Sequence, residues 1–375
     1  MSRLSRAEVQ LRNRAKVLAA ARAEFAEHGY RDATIDRIAA RADLTRGAVY
    51  SNFPGKRALY FSTLVDAAPP TTDAPDVGGG PAGAGGPGAG GPGGGGTGAG
   101  GPGAGGPGAG GRSVARHAAT ADGLSAFAAA DGLSSFASAW LDQHHPGPDV
   151  LTELADVGTP YAGLLDLNAV LLGVSLDRSA PGDLGRMIRV ARLALTLLTG
   201  ASQLTSTPGF VQPLDVARAC AHLADLDLDD PWTPPPTSPP MRPAEEPWSP
   251  PSVIDEVRHR PADLDSPGVI AVLGLNRLSA AEDVVRSARG TITIALVSSH
   301  PDELGPLARY TTGSLLRCLP QAPRVQLVHD EDGVLASALG CDVIGDDLEY
   351  AAAIAGGRIL SRAEGFGGAY AVARR

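Results

Sequence analysis

The chain has 375 residues, 43% of them hydrophobic, and a net charge of −9, which makes it long enough for two or three domains, each with its own core. Its 48 Gly and 31 Pro exceed ordinary usage and gather in two tracts that divide the chain by composition. No apolar stretch reads as a membrane span, the N-terminus lacks the apolar core of a signal peptide, and three distant cysteines (Cys220, Cys318, Cys341) exclude a disulfide framework, so a cytoplasmic protein without a membrane partner is expected.

The first predicted element is a helix on which Leu11, Ala15, Leu18 and Phe25 keep helical spacing up to a stop at Gly29. A second, short helix follows, with Ile35, Ile38 and Ala39 on one face and Thr34 placed to cap it. Leu44 closes a tight turn and Val49 anchors a third helix, which leaves Thr45, Arg46, Ala48, Tyr50 and Ser51 facing outward; Pro54 and Gly55 then stop it. Two short amphipathic helices around a tight turn form a helix-turn-helix, and double-stranded DNA is the partner such a unit fits. Charge agrees: residues 1–65 carry 12 Arg and Lys against 6 Asp and Glu, a net +6, whereas the remainder, 20 against 35, is −15. A basic head attracts the phosphate backbone and an acidic body keeps the rest of the molecule off it. A small three-helix interaction module with a solvated basic face is the bland alternative; it does not need an exposed Tyr and Lys at this spacing.

The run Thr45-Arg46-Gly47-Ala48-Val49-Tyr50-Ser51-Asn52-Phe53-Pro54-Gly55-Lys56, preceded by Thr34-x-x-x-Ile38-Ala39 and followed by Ala58-Leu59-Tyr60, resembles the DNA-binding domain of TetR-type repressors over about residues 8–66. The resemblance implies phosphate contacts from Thr34, Tyr50 and Lys56 and base reading by Thr45 and Arg46, within a DNA-binding set of Thr34, Thr45, Arg46, Gly47, Ala48, Tyr50, Ser51, Asn52 and Lys56. One departure is Asp43, where the turn of that family carries Gly; Asp tolerates a left-handed backbone better than most residues.

Residues 78–111 repeat Pro-Gly-Ala-Gly-Gly without glycine at every third position, which excludes collagen; a match to G-x-G-x-x-G at Gly83–Gly88 arises from composition alone. The tract reads as a disordered tether. Residues 112–228 are helical in pattern. Asp122–Ala128 recurs almost unchanged at residues 131–137 as a local duplication. From Arg186 to Leu204, Met187, Val190, Ala191, Ala194, Leu197, Leu198 and Ala201 share one face, while Ile188 and Leu195 lie on another, so the helix needs cover on two sides. With Leu214–Leu226 this part resembles the last helices of a TetR-type ligand domain. The resemblance implies a homodimer paired through Val190, Ala194, Leu195 and Leu198 and an unidentified small-molecule effector; a plain internal core helix is the other reading.

A proline-rich stretch, Pro231–Pro251, reads as a stiff linker on which Trp232 and Trp248 pack against a neighbouring surface. From Pro267 the period changes. Strand-like runs at residues 269–273, 291–297, 325–328 and 350–354 alternate with helical stretches at 279–289, 301–318 and 333–340, and Arg358–Arg362 pairs with the last strand across Gly356-Gly357. This order resembles a thioredoxin-like domain of the peroxiredoxin type. The loop at residues 274–279 holds no Cys and no Pro follows Pro323, so the resemblance comes without a nucleophilic thiolate, and no enzyme activity is expected. Buried inert thiols are expected at Cys318 and Cys341, a solvated loop rather than a metal site at His144-His145, and no cofactor.

The resulting expectation is a multidomain protein, all-α over its head and middle and α/β at its end. Its parts are a DNA-binding domain (1–68), a linker (69–111), a helical ligand-binding and dimerisation domain (112–228), a second linker (229–266) and a thioredoxin-like domain (267–375). Function follows as a ligand-responsive repressor that binds a palindromic operator as a homodimer. The alternatives are a redox-sensing protein localised to DNA by its head, and a C-terminal protein-interaction module. A chain ending near Asp230 is expected to keep DNA binding.

Overall fold

A computed structural model describes residues 5–67, 121–143, 153–177, 184–205 and 207–375. The tract at residues 78–111 and His144-His145 lie outside the described residues. Helix α1 (Arg6–Asp32) starts in a capping box: Ser5 Oγ accepts from Glu8 N at 3.2 Å while the Glu8 carboxylate accepts from Ser5 N at 2.6 Å. Its helical path breaks at Gly29, whose φ of 70° only glycine adopts freely. Val17, Ala21 and Phe25 form its inner row, whereas Leu11, expected in that row, is 68% exposed. α2 (Ile35–Arg41) and α3 (Arg46–Tyr50) follow, joined through Asp43 at φ 54°, so an Asp does occupy the left-handed turn. Glu24, buried on α1, holds the guanidinium groups of Arg37 and Arg41 and thereby fixes α2 against it. α4 (Lys56–Ala67) closes the head with Tyr60 edge-on to Phe25 at 4.9 Å.

Among the described residues, the helices α5 (Ala121–Asp142), α6 (Thr159–Leu176), α7 (Leu184–Leu204) and α8 (Pro213–Leu223) come next. α6 packs on α5 and α7, and every residue from Leu167 to Leu176 is buried. By length and composition α6 is apolar enough to cross a membrane, contrary to the expectation that no stretch is; 61% of it is buried inside the protein, as in a core helix. α7 departs from expectation too. Val190, Ala194 and Leu198 are 0% exposed and Leu195 8% exposed within the single chain, because α6 and α8 cover them. Residues already buried in their own protomer have no area left for a partner, so the four positions proposed for dimerisation are core. The outward apolar residues of α7 are Leu193, Leu197 and Leu204.

The C-terminal region is a six-stranded mixed sheet in the order β1-β8-β7-β4-β5-β6. β4 (Gly268–Gly274), β5 (Thr291–Val297) and β6 (Val325–His329) run parallel; β7 (Glu349–Ala355) is antiparallel to β4, and β8 (Arg358–Glu364) to β7. The parallel strands are buried on both faces, hence their unbroken Val, Ile, Leu and Ala runs. Gly356 and Gly357 turn the β7–β8 hairpin at φ 59° and 67°. α9 (Ala280–Ser287), α10 (Pro301–Leu316), α11 (Val334–Ala338) and α12 (Gly368–Ala373) complete the region.

The proline-rich stretch is not a free linker. β1 (Arg242–Pro247) pairs with β8, and Trp248 is buried with its indole N–H donating to Leu264 O at 2.8 Å. Trp232 donates to Asp283 Oδ1 at 2.9 Å beneath the Arg286 guanidinium. A short hairpin, β2 (Ile254–Asp255) with β3 (Arg260–Pro261), covers the far edge: Asp255 accepts from Leu327 N at 3.1 Å and Glu256 N donates to Leu327 O at 2.8 Å. The sheet separates two cores. Ile270, Val272, Val328 and Tyr350 face α11 and Trp248. Val269, Ala271, Leu273 and Leu327 belong to a core that continues through α6 and α7 into the head.

Candidate nucleic-acid interface

α3 is held by one buried anchor, Val49, and by a threonine cap at Thr45; α2 before it has a cap of the same kind at Thr34. Thr34 Oγ1 accepts from Arg37 N at 3.3 Å and Thr45 Oγ1 from Ala48 N at 3.2 Å, which fixes the first turns of α2 and α3. Thr34, Thr45, Arg46, Gly47, Tyr50 and Ser51 are exposed, and Ala48 and Asn52 are half-buried beside them. Asn52 Nδ2 donates back to Ala48 O at 2.7 Å, and its carbonyl accepts from Arg14 Nη1 at 2.9 Å. An added Cβ at Gly47 would meet nothing nearer than Thr45 Oγ1 at 3.9 Å, so no packing inside the chain requires glycine there. Its surface is open to close approach by a partner.

Arg46 reaches Asp36 at 3.4 Å and lies 5.6 Å from the Tyr50 ring centre. The Tyr50 hydroxyl and the Asp36 carboxylate raise its guanidinium above the ordinary value. Lys56, the third residue expected at phosphate, turns inward: Nζ donates to Arg31 O at 3.1 Å and sits 4.5 Å over the Tyr30 ring. Burial there lowers its ammonium below the usual lysine range. Tyr30 in turn is pushed up to about 12 by burial and by Glu153.

Three contributors escaped sequence reading. Arg14 stacks over Phe53 at 4.4 Å and braces the turn after α3; it lies three residues from Leu11 on α1, a spacing that carries a signal. Asp302 and Glu303 come from α10, far along the chain, and no local pattern announces them. Asp302 shares a cleft of about 600 Å³ with Gln10, Arg14, Tyr50 and Asn52.

The loop after β4, where a thioredoxin-like domain carries its thiol, is occupied by structural contacts. Gly274 lies so close to the loop at residues 345–346 that a Cβ would come within 2.3 Å of Gly345 O. Asn276 Nδ2 donates to Asp347 Oδ1 at 2.9 Å, and Arg277 reaches the buried Glu349. Ser299 and His300 meet at 3.0 Å beside Asp346, but the Ser299 hydroxyl donates to that carboxylate rather than to the imidazole, and the Ser298 hydroxyl accepts from the His300 backbone N–H. Burial pushes the thiol of Cys318 up to about 12 and that of Cys220 up to about 11, and raises Cys341. Among the described residues no group of three His, Cys, Asp or Glu is placed to hold a metal ion.

No curated protein matches the chain. Residues 17–63, from the middle of α1 into α4, match the family model for bacterial regulatory proteins of the tetR family, which supports a TetR-type helix-turn-helix regulator that binds DNA.

Proposed function

We propose that the protein is a cytoplasmic, ligand-responsive transcriptional repressor that binds a palindromic operator as a homodimer. The observation that carries this reading is α3: capped, anchored through Val49 alone, and otherwise presenting Thr45, Arg46, Gly47 and Tyr50 outward with a glycine where nothing inside the chain needs one. Pairing would use the outer row of α7, Leu193, Leu197 and Leu204, with Leu214 of α8, all exposed in the single chain. An effector that binds better to the dimer with its heads apart lowers operator affinity by the same factor. We read the C-terminal region as a thioredoxin-like unit, β4-α9-β5 with β7-β8-α12, to which β6 adds an edge and β1 another. The raised thiols of Cys318 and Cys341 in that region speak against redox chemistry.

Selection of bound duplexes from a randomised pool tests the reading. A two-fold symmetric consensus is expected. A consensus without symmetry removes the dimeric operator, and retention of no duplex removes the regulator.

A further inference from the structure

α10 belongs to the sheet region, yet it packs along α4 of the head. Arg57 on α4 donates from Nε to Glu303 Oε1 at 2.6 Å, an ion pair that crosses from the head to the C-terminal region and is only partly exposed on either side. One residue earlier, the exposed Asp302 has no ion pair among the described residues, and it borders the cleft formed by Arg14, Tyr50, Ser51 and Asn52. The first turn of α10 thus sets two carboxylates against the basic head. One neutralises an arginine; the other stands beside the surface read as the phosphate side of the DNA interface.

These carboxylates are held firmly. Arg309, two turns further along α10, bonds Glu331 at 2.7 Å and Glu256 at 2.9 Å; Thr312 meets His329 Nε2 at 3.2 Å, and Asn168 of α6 donates to Thr311 O at 3.1 Å. α10 is therefore fixed to the sheet, to the β2 side and to the helical middle at once.

We propose that the first turn of α10 is an electrostatic restraint on DNA binding: Asp302 opposes the duplex backbone, Glu303 withholds Arg57 from it, and the sheet region sets affinity by holding α10 in place. The proposal rests on the DNA-binding reading of the head. A carboxylate within a Debye length of several phosphates repels each of them, and counterion release rewards every cation set free. Removing Asp302 takes away repulsion, and removing Glu303 adds one available cation.

The test uses the full chain and a labelled random-sequence duplex, titrated over a range of KCl concentrations. Asp302→Asn is expected to tighten binding by about threefold or more at low salt, with the gain fading as salt rises. Glu303→Gln is expected to steepen the salt slope by up to about one unit, and Arg57→Ala in that background to cancel the change. Because Asp302 is exposed and outside any ion pair among the described residues, its variant is expected to keep the fold, which circular dichroism checks. Wild-type binding with no gain from Asp302→Asn overturns the restraint and leaves the DNA-binding reading intact. Binding by the variant alone supports the restraint. Retention of duplex by neither overturns both.

Discussion

Arg46 lies on the surface between Asp36 and Tyr50, and an exposed pair of this kind contributes little to stability, so the guanidinium is oriented yet inexpensive to redirect to a base. Arg46→Ala is expected to cost about 1 to 3 kcal/mol on operator and far less on scrambled duplex, whereas Tyr50→Phe weakens both alike. Equal loss on both duplexes for Arg46→Ala would refute its base-reading role. Lys56→Ala differs, since the ammonium rests on Tyr30: it should lower the head's stability by about 0.5 to 1 kcal/mol in a thermal melt, besides any effect on DNA. His329 offers a pH signature. Burial, aided by Arg309, pushes its imidazole down from 6.5 to about 3, and Nδ1 is buried without a partner. A depressed folded value means that the neutral ring is the native one. The stability linked to it is present above the ordinary value and is lost as pH falls from 6.5 toward 3, at up to about 1.4 kcal/mol per pH unit. Urea titrations across that range should show the slope in the wild type and a flatter one in His329→Asn; parallel curves would dismiss His329 as its source. The cap at Thr34 was legible in the sequence because cap and partner lie three residues apart; Thr45, read there as an outward residue, makes a cap at the same spacing. The inward turn of Lys56 was not, since Tyr30 and the Arg31 carbonyl reach it only through the fold.

For whole elements, periodicity reveals a helix without revealing what covers it. α7 is apolar on two sides, and the sequence cannot say which side meets the chain itself; the structure spends Val190, Ala194 and Leu198 internally and leaves Leu193 and Leu197 outside. Leu193→Glu and Leu197→Glu should therefore split a dimer while leaving each protomer folded, as sedimentation and circular dichroism would show. Leu198→Glu should unfold the protomer, because a carboxylate cannot be left unpaired at a fully buried site. Intact dimers for both outer variants would place the interface elsewhere. The strands of the C-terminal sheet were readable from their runs, and the β7–β8 hairpin from its glycine pair. β1 was not. Arg-Pro-Ala-Glu-Glu-Pro has the composition of a linker, and its partner lies more than 100 residues away, at Arg358–Arg362.

At the scale of the molecule, one apolar core runs from Phe25 in the head through Leu171 and Ile188 to Leu273 and Leu327 in the sheet. Composition had cut the chain into independent parts; burial joins them, since a tract of unusual composition says nothing about whether the faces on either side of it meet. A chain ending at Asp230 would uncover the α4 and α6 surfaces that α10 occupies. It is now expected to lose cooperative thermal unfolding, and a truncated chain that melts as sharply as the whole would restore the view of a detachable third domain. The composition of β1 has a consequence of its own. A sheet with an open border invites a neighbouring molecule to add its own strand, and repetition of that step builds fibres. Here Asp255 and Glu256 occupy one border, while the other ends in a strand that lacks two backbone donors, at Pro243 and Pro247, and carries charge at Arg242, Glu245 and Glu246. The residues that disguise β1 as a linker are those that stop the sheet from growing, and they allow a strongly apolar sheet to remain a private interior rather than a template for polymerisation.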